Sequence, residues 1–88
     1  MNIDNYISEL VLAVAQQLYG DNVTAQHIQI QKTRKEFEGD YTVVTFPLLK
    51  LSHKAPEATA NEIGAKLVEQ CAEIGGYNVI KGFLNISL

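Results

Sequence analysis

Two runs decide the fold: His27-Ile28-Gln29-Ile30-Gln31 and Tyr41-Thr42-Val43-Val44-Thr45-Phe46, with Glu38-Gly39-Asp40 between them. The first run alternates. Ile28 and Ile30 fall on one side and His27, Gln29 and Gln31 on the other, the period of a half-buried strand. The second is rich in β-branched and aromatic residues, which suit a pleated surface. Glu38-Gly39-Asp40 is the strongest turn signal in the chain, because glycine takes positive φ without steric cost. These pieces predict a β-hairpin with strands over 27–35 and 41–46 and a long basic tip.

Working outward, Ile3, Ile7, Leu10, Val11, Val14 and Leu18 recur at three- and four-residue spacing and predict an amphipathic helix that Gly20 ends. Tyr6 and Tyr19 edge its apolar stripe. After the hairpin, Pro47 lacks the donor a central strand needs but suits a helix start, so a short helix is expected over 47–52. Pro56 opens another helix, with Ala60, Ile63, Gly64, Leu67 and Cys71 on its buried face and Gly75-Gly76 as its stop. Two short strands follow, 77–80 and 83–88, joined through Lys81-Gly82. The fold class expected is therefore α+β, a four-stranded, mainly antiparallel sheet with helices packed on one face.

At 88 residues and 47% apolar content, the chain is one globular domain rather than two or a disordered segment. Its single cysteine, Cys71, can form no internal disulfide, which points to a reducing compartment; with no membrane-length apolar run and no leader pattern, a cytoplasmic location is expected. The chain stops inside the apolar run Gly82-Phe83-Leu84-Asn85-Ile86-Ser87-Leu88, whereas natural ends are usually polar. Residues 1–88 are accordingly expected to be an N-terminal domain of a longer protein.

Net charge is −3, which argues against nucleic acid, yet the charge is unevenly spread. Lys32, Arg34, Lys35, Lys50 and Lys54 crowd the middle of the chain, with His27 and His53 beside them, while most of the acids lie outside it. Such asymmetry marks either an oriented electrostatic surface or an ordinary solvated face. Catalytic and metal-binding constellations are missing. Glu36, Glu38 and Asp40 share a solvated turn, Cys71 sits on an apolar helix face, no phosphate-cradling glycine loop precedes a lysine, and no metal site is expected.

The segment Phe37-Glu38-Gly39-Asp40-Tyr41, the helix start Ala55-Pro56-Glu57 leading to Ala60-Asn61-Glu62-Ile63-Gly64-Ala65-Lys66-Leu67, and the ending Ile80-Lys81-Gly82-Phe83-Leu84-Asn85-Ile86 occur in an order that resembles the N-terminal domain of arginyl-tRNA synthetases. The resemblance covers nearly the whole chain. It implies a non-catalytic domain appended ahead of a class I core, leaning on the tRNA elbow and contacting the D-loop. The partners it implies are arginine-accepting tRNA, met through the basic middle segment, and the rest of the synthetase in cis. No cofactor is expected in this domain, since ATP and arginine would bind the catalytic core. Gly39, Asp40 and Tyr41 match the family motif; its glutamine is Thr42 here and its asparagine Val44, and Ile80-Lys81-Gly82 stands where a glycine-proline-glycine is usual. The residues implied for tRNA contact are Tyr41, Thr42, Val44, Phe37, Lys32, Arg34, Lys35, His53 and Lys54, with Gly39, Asp40 and Gly82 as turn residues. Tyr41 could equally pack in the core or the hairpin, and for Phe37 such packing is the favoured reading. A protein-interaction or small-ligand regulatory domain of the same build is the alternative.

Overall fold

The computed structural model describes residues 3–33 and 39–88. Helix α1 spans Ile3–Tyr19, strand β1 Gln29–Lys32, β2 Tyr41–Val44, helix α2 Leu49–Ser52, α3 Pro56–Gln70, β3 Gly76–Ile80 and β4 Phe83–Ser87. Short 3-10 turns at Ala25–His27 and Phe46–Leu48 lead into β1 and α2. The strands form one antiparallel sheet in the order β1-β2-β4-β3. The fold is the α+β arrangement expected. Strand order, which no local pattern encodes, puts the last strand in the middle.

Register divides the sheet into two faces. Ile30, Val43, Leu84 and Val79 lie in one cross-strand row, and Lys32, Tyr41, Ile86 and Tyr77 in the next row of the same face. These two rows meet the helices. Ile7, Val11 and Val14 of α1 and Ala60, Ile63 and Leu67 of α3 join Val43, Leu84 and Ile86 in a single buried core. On the other face lie Gln29, Val44, Phe83 and Ile80 in one row and Gln31, Thr42, Asn85 and Asn78 in the next. Among the described residues, no helix covers this face.

The differences from the sequence-based elements have local causes. Strand β1 is shorter than expected because Ala25–His27 coils into a turn, with His27 Nδ1 accepting the Thr24 N–H at 3.0 Å. Helix α3 ends at Gln70, ahead of Gly75-Gly76, because Cys71 turns extended (φ −122°, ψ 106°) and buries its thiol. Burial then pushes the Cys71 thiol pKa up, with the Glu73 charge adding to it.

Close packing of α3 on the sheet depends on one glycine. A Cβ added at Gly64 would lie 2.5–2.8 Å from ring atoms of Tyr77 on β3. The helix axis can approach the sheet this closely only where no side chain intervenes. Gly64→Ala is therefore expected to destabilise the fold by about 1–3 kcal/mol through overpacking, against the roughly 1 kcal/mol that alanine gains in helix propensity. Urea unfolding of the variant checks this; a rise in stability would show that Tyr77 yields freely.

Candidate nucleic-acid interface

The centre of the sheet face opposite the helices carries a directional chain of hydrogen bonds. Thr42 Oγ1 donates to Asn85 Oδ1 at 2.6 Å, and Asn85 Nδ2 donates to Asn78 Oδ1 at 2.9 Å. Thr42 has a single hydroxyl proton, already committed to Asn85, so Thr33 must be the donor in the 3.0 Å contact between the two threonine hydroxyls. The chain thus runs from Thr33 through Thr42 and Asn85 to Asn78. Thr42 and Asn85 are buried, while Asn78, at the edge strand, is half-exposed.

The turn at Gly39-Asp40 lies against the middle of this row, at Asn85. Gly39, at φ +115°, is so near Asn85 that a Cβ would lie 3.2 Å from that residue's Cβ. Asp40 anchors the turn in three directions. Its N–H donates to Ile86 O at 2.7 Å, its carbonyl accepts from Thr33 N–H at 3.3 Å, and its Oδ2 accepts from Leu88 N–H at 2.8 Å. Gly39 and Asp40 therefore stitch the β1–β2 connection to β4.

The sequence-expected contact residues do not form one patch. Tyr41 is only 7% exposed and points into the helix-covered face, so its ring is core, not a platform for a base. Lys32 shares that face at the sheet's edge, beside the Gly39 turn. His53 and Lys54 lie beyond the opposite end of β2, after α2, with His53 in the left-handed region at φ 57°. Lys54 is ion-paired with Glu62 of α3. Among the described residues, the basic middle of the sequence is thus divided between two ends of the sheet. Thr42 and Val44 do belong to the uncovered face. Arg34, Lys35 and Phe37 lie outside the described residues.

What the sequence reading missed is an aromatic pair at the His53 end of that same face. Phe46 is 47% exposed, and its ring meets that of Phe83 nearly at right angles (87°), with centroids 5.7 Å apart. Phe46 reads as strand in the sequence, whereas the chain has already left β2 and turned into the 3-10 segment. Gly82, at φ +83°, fits under this corner: a Cβ there would lie 2.6 Å from Pro56 Cβ and 3.6 Å from the Phe46 ring. Lys81 and Gly82 both have positive φ, as a two-residue turn between antiparallel strands requires. Among the described residues, no group of three or more His, Cys, Asp or Glu could hold a metal ion. Nor is any helix there long and apolar enough to cross a membrane.

The family model described as "Arginyl tRNA synthetase N terminal domain" matches residues 2–88. The chain belongs to that family. It is 46% identical over 89 residues to an arginine–tRNA ligase of Phocaeicola vulgatus and 47% identical over 88 to one of Parabacteroides distasonis. Each match covers 100% of this chain and 15% of the relative, so the chain spans about 15% of the length of the curated relatives it matches. Among solved structures, the Thermus thermophilus arginyl-tRNA synthetase superposes with a TM-score of 0.71 at 24% identity, over 96% of this chain and 13% of that one, which shows the common fold. Within this synthetase domain, the departures from the family motif at Thr42 and Val44 fall on the uncovered face, and the match at Tyr41 falls in the core.

On the helical side, Lys54 and Tyr19 converge on Glu62. Lys54 Nζ donates to Oε2 and Tyr19 Oη to Oε1, the latter at 2.8 Å. The Lys54 ammonium first, and the Tyr19 hydroxyl second, hold the Glu62 carboxyl below its ordinary 4.5. A carboxyl with a lowered folded-state pKa stabilises the fold above its ordinary pKa and loses that contribution as pH falls through the lowered value. Glu62→Gln is expected to cost under about 1 kcal/mol at pH 7, since the pair is largely exposed. The gap to the parent protein should narrow as pH falls through the lowered Glu62 pKa, below the ordinary 4.5, and close once both side chains are neutral. Thermal melts across that range check it; a gap that persists at low pH would contradict the ion-pair account. Breaking the buried row instead is expected to cost more. Asn85→Ala strands the Thr42 and Asn78 groups and should lower stability by about 1–3 kcal/mol in urea unfolding at any pH.

Proposed function

We propose that this chain is the tRNA-binding N-terminal domain of an arginine–tRNA ligase, and that it leans on the tRNA elbow and touches the D-loop. The observation that carries this reading is the family match across residues 2–88. On this reading the domain positions arginine-accepting tRNA for ATP-dependent arginylation by a catalytic core elsewhere in the protein. ATP and arginine bind that core, and the protein works in the cytoplasm with no membrane partner.

The uncovered sheet face supports the reading. Its strand residues are uncharged: Gln29, Gln31 and Asn78 offer amide donors and acceptors to base edges beside apolar Val44, Phe83 and Ile80, without repelling phosphates. Lys81 stands at one end of the sheet, in the β3–β4 turn, and Lys32 at the other, on the edge strand β1 in the row that faces the helices. Tyr41 serves this surface from behind, as the core residue that fixes β2, while Thr42 and Val44 lie on it.

A few peripheral cations give weak, salt-dependent binding. Two or three phosphate contacts at roughly 0.7–0.9 released ions each predict a slope of about −2 for log affinity against log salt. Titrating the chain with arginine-accepting tRNA in low salt, then raising the salt, measures it. Lys32→Glu should weaken binding. Absence of binding, combined with unchanged tRNA affinity when the domain is deleted from the full-length ligase, would refute the reading.

A further inference from the structure

Leu88, one residue beyond β4, is held by a side chain where the ladder would otherwise use a strand neighbour. The register of β2 on β4 pairs Tyr41 with Ile86, so Leu88 falls opposite Gly39. Gly39 stands at φ +115°, outside the strand range, and its backbone makes no hydrogen bond to Leu88. The next residue supplies the missing acceptor. Asp40 donates its N–H to Ile86 O at 2.7 Å and turns its carboxylate along β4, where Oδ2 accepts Leu88 N–H at 2.8 Å. On the opposite side, Gly75 N–H reaches Ser87 O at 2.8 Å. Ser87 is thus tied by backbone on the β3 side, and Leu88 by the carboxylate of an exposed residue.

We propose that Asp40 is a positioning residue: its carboxylate sets the path along which the polypeptide leaves β4 toward the catalytic core, and so the angle at which tRNA held by this domain meets that core. The proposal deepens the tRNA-binding reading and rests on it. The chemistry suits a joint. A carboxylate takes an N–H more strongly than a neutral carbonyl does. This one is anchored through its own residue's backbone, whose N–H is bonded to β4 and whose carbonyl accepts from Thr33 N–H at 3.3 Å. The acceptor is therefore fixed beside Ile86 and Leu88 from two sides. A fixed exit path keeps tRNA bound by the domain at a high effective concentration near a core joined through that path. A loose one would leave every tRNA contact in place and spread the orientations in which the tRNA is presented. Asp40 does this without touching a nucleotide.

The test runs the full-length ligase and the 88-residue chain in parallel. In the 88-residue chain, Asp40→Ala should move the Leu88 amide proton signal and leave the affinity for arginine-accepting tRNA unchanged. In the full-length ligase, the same variant should raise KM for tRNA by roughly threefold to tenfold, up to about what a hydrogen bond to a charged group contributes, with kcat at saturating tRNA unchanged. A merely destabilising substitution would instead lower kcat, by shrinking the active fraction. Asp40→Asn keeps an acceptor of the same shape and should restore most of the parent KM. Leu88→Pro removes the donor from the other side of the bond without touching the turn, so it carries the test if Asp40→Ala fails to fold. It should reproduce the rise in KM, and the double variant should add nothing to either change alone. An unchanged KM in both single variants, additive effects in the double variant, or an equal loss of tRNA affinity in the 88-residue chain overturns the proposal. If deleting the domain raises KM for tRNA and neither single variant does, the tRNA-binding reading stands and the assignment of Asp40 falls. If the deletion leaves KM unchanged, both fall.

Discussion

The pairing of β2 with β4 is the contact on which everything else depends. It joins Tyr41–Val44 to Phe83–Ser87, residues about half the chain apart, and puts both strands in the middle of the sheet. From that single register follow two consequences. Val43, Tyr41, Leu84 and Ile86 align toward the helices and complete the core. Thr42, Asn85, Val44 and Phe83 align away from them. A slip of one residue would invert both sets at once, burying the polar row under the helices and exposing the core. The Thr42–Asn85 hydrogen bond penalises such a slip from the outer side, and the apolar contacts with α1 and α3 penalise it from the inner one.

The helical layer fits this sheet through small adjustments rather than bulk. Gly64 lets α3 lie against Tyr77, and Gly82 lets the β3–β4 turn pass under Pro56. Between the two long helices, Gln17 and Gln70 exchange reciprocal amide hydrogen bonds at 3.1 and 2.7 Å. Tyr6 donates to Glu73, just beyond α3, and Tyr19 donates to Glu62 within it. These contacts ring the apolar seam with polar pairs. They hold the helices on one side of the sheet.

Much of this architecture was legible in the sequence. The stripe from Ile7 to Leu18, the prolines at helix starts and the turn glycines located the elements because each obeys a local rule. The faces of β2 were not legible. Tyr-Thr-Val-Val has no alternation, since a central strand buries residues on both sides, and Thr42 is buried by its polar neighbours as fully as Tyr41 is by apolar ones. That is why Tyr41 could pass for a surface aromatic. The basic middle misled for a different reason. Nearness along the chain becomes nearness in space only across a turn, and the length of β2 separates the end that holds Lys32 from the end that leads to His53. Phe46 was hidden by its own β propensity, and only the structure shows that it stands outside the ladder beside Phe83.

Asp40 has a further consequence for how the domain opens. Its N–H and its carboxylate hold Ile86 O and Leu88 N–H together, while Gly75 N–H donates to Ser87 O from the other side. The Gly39-Asp40 turn and the end of β4 therefore share one set of bonds. Neither can fray alone: releasing the turn at Gly39 also frees the Leu88 amide, and peeling back β4 also frees the turn. In terms of native-state hydrogen exchange, the two segments form a single opening unit with a common protection factor, although most of the sequence lies between them.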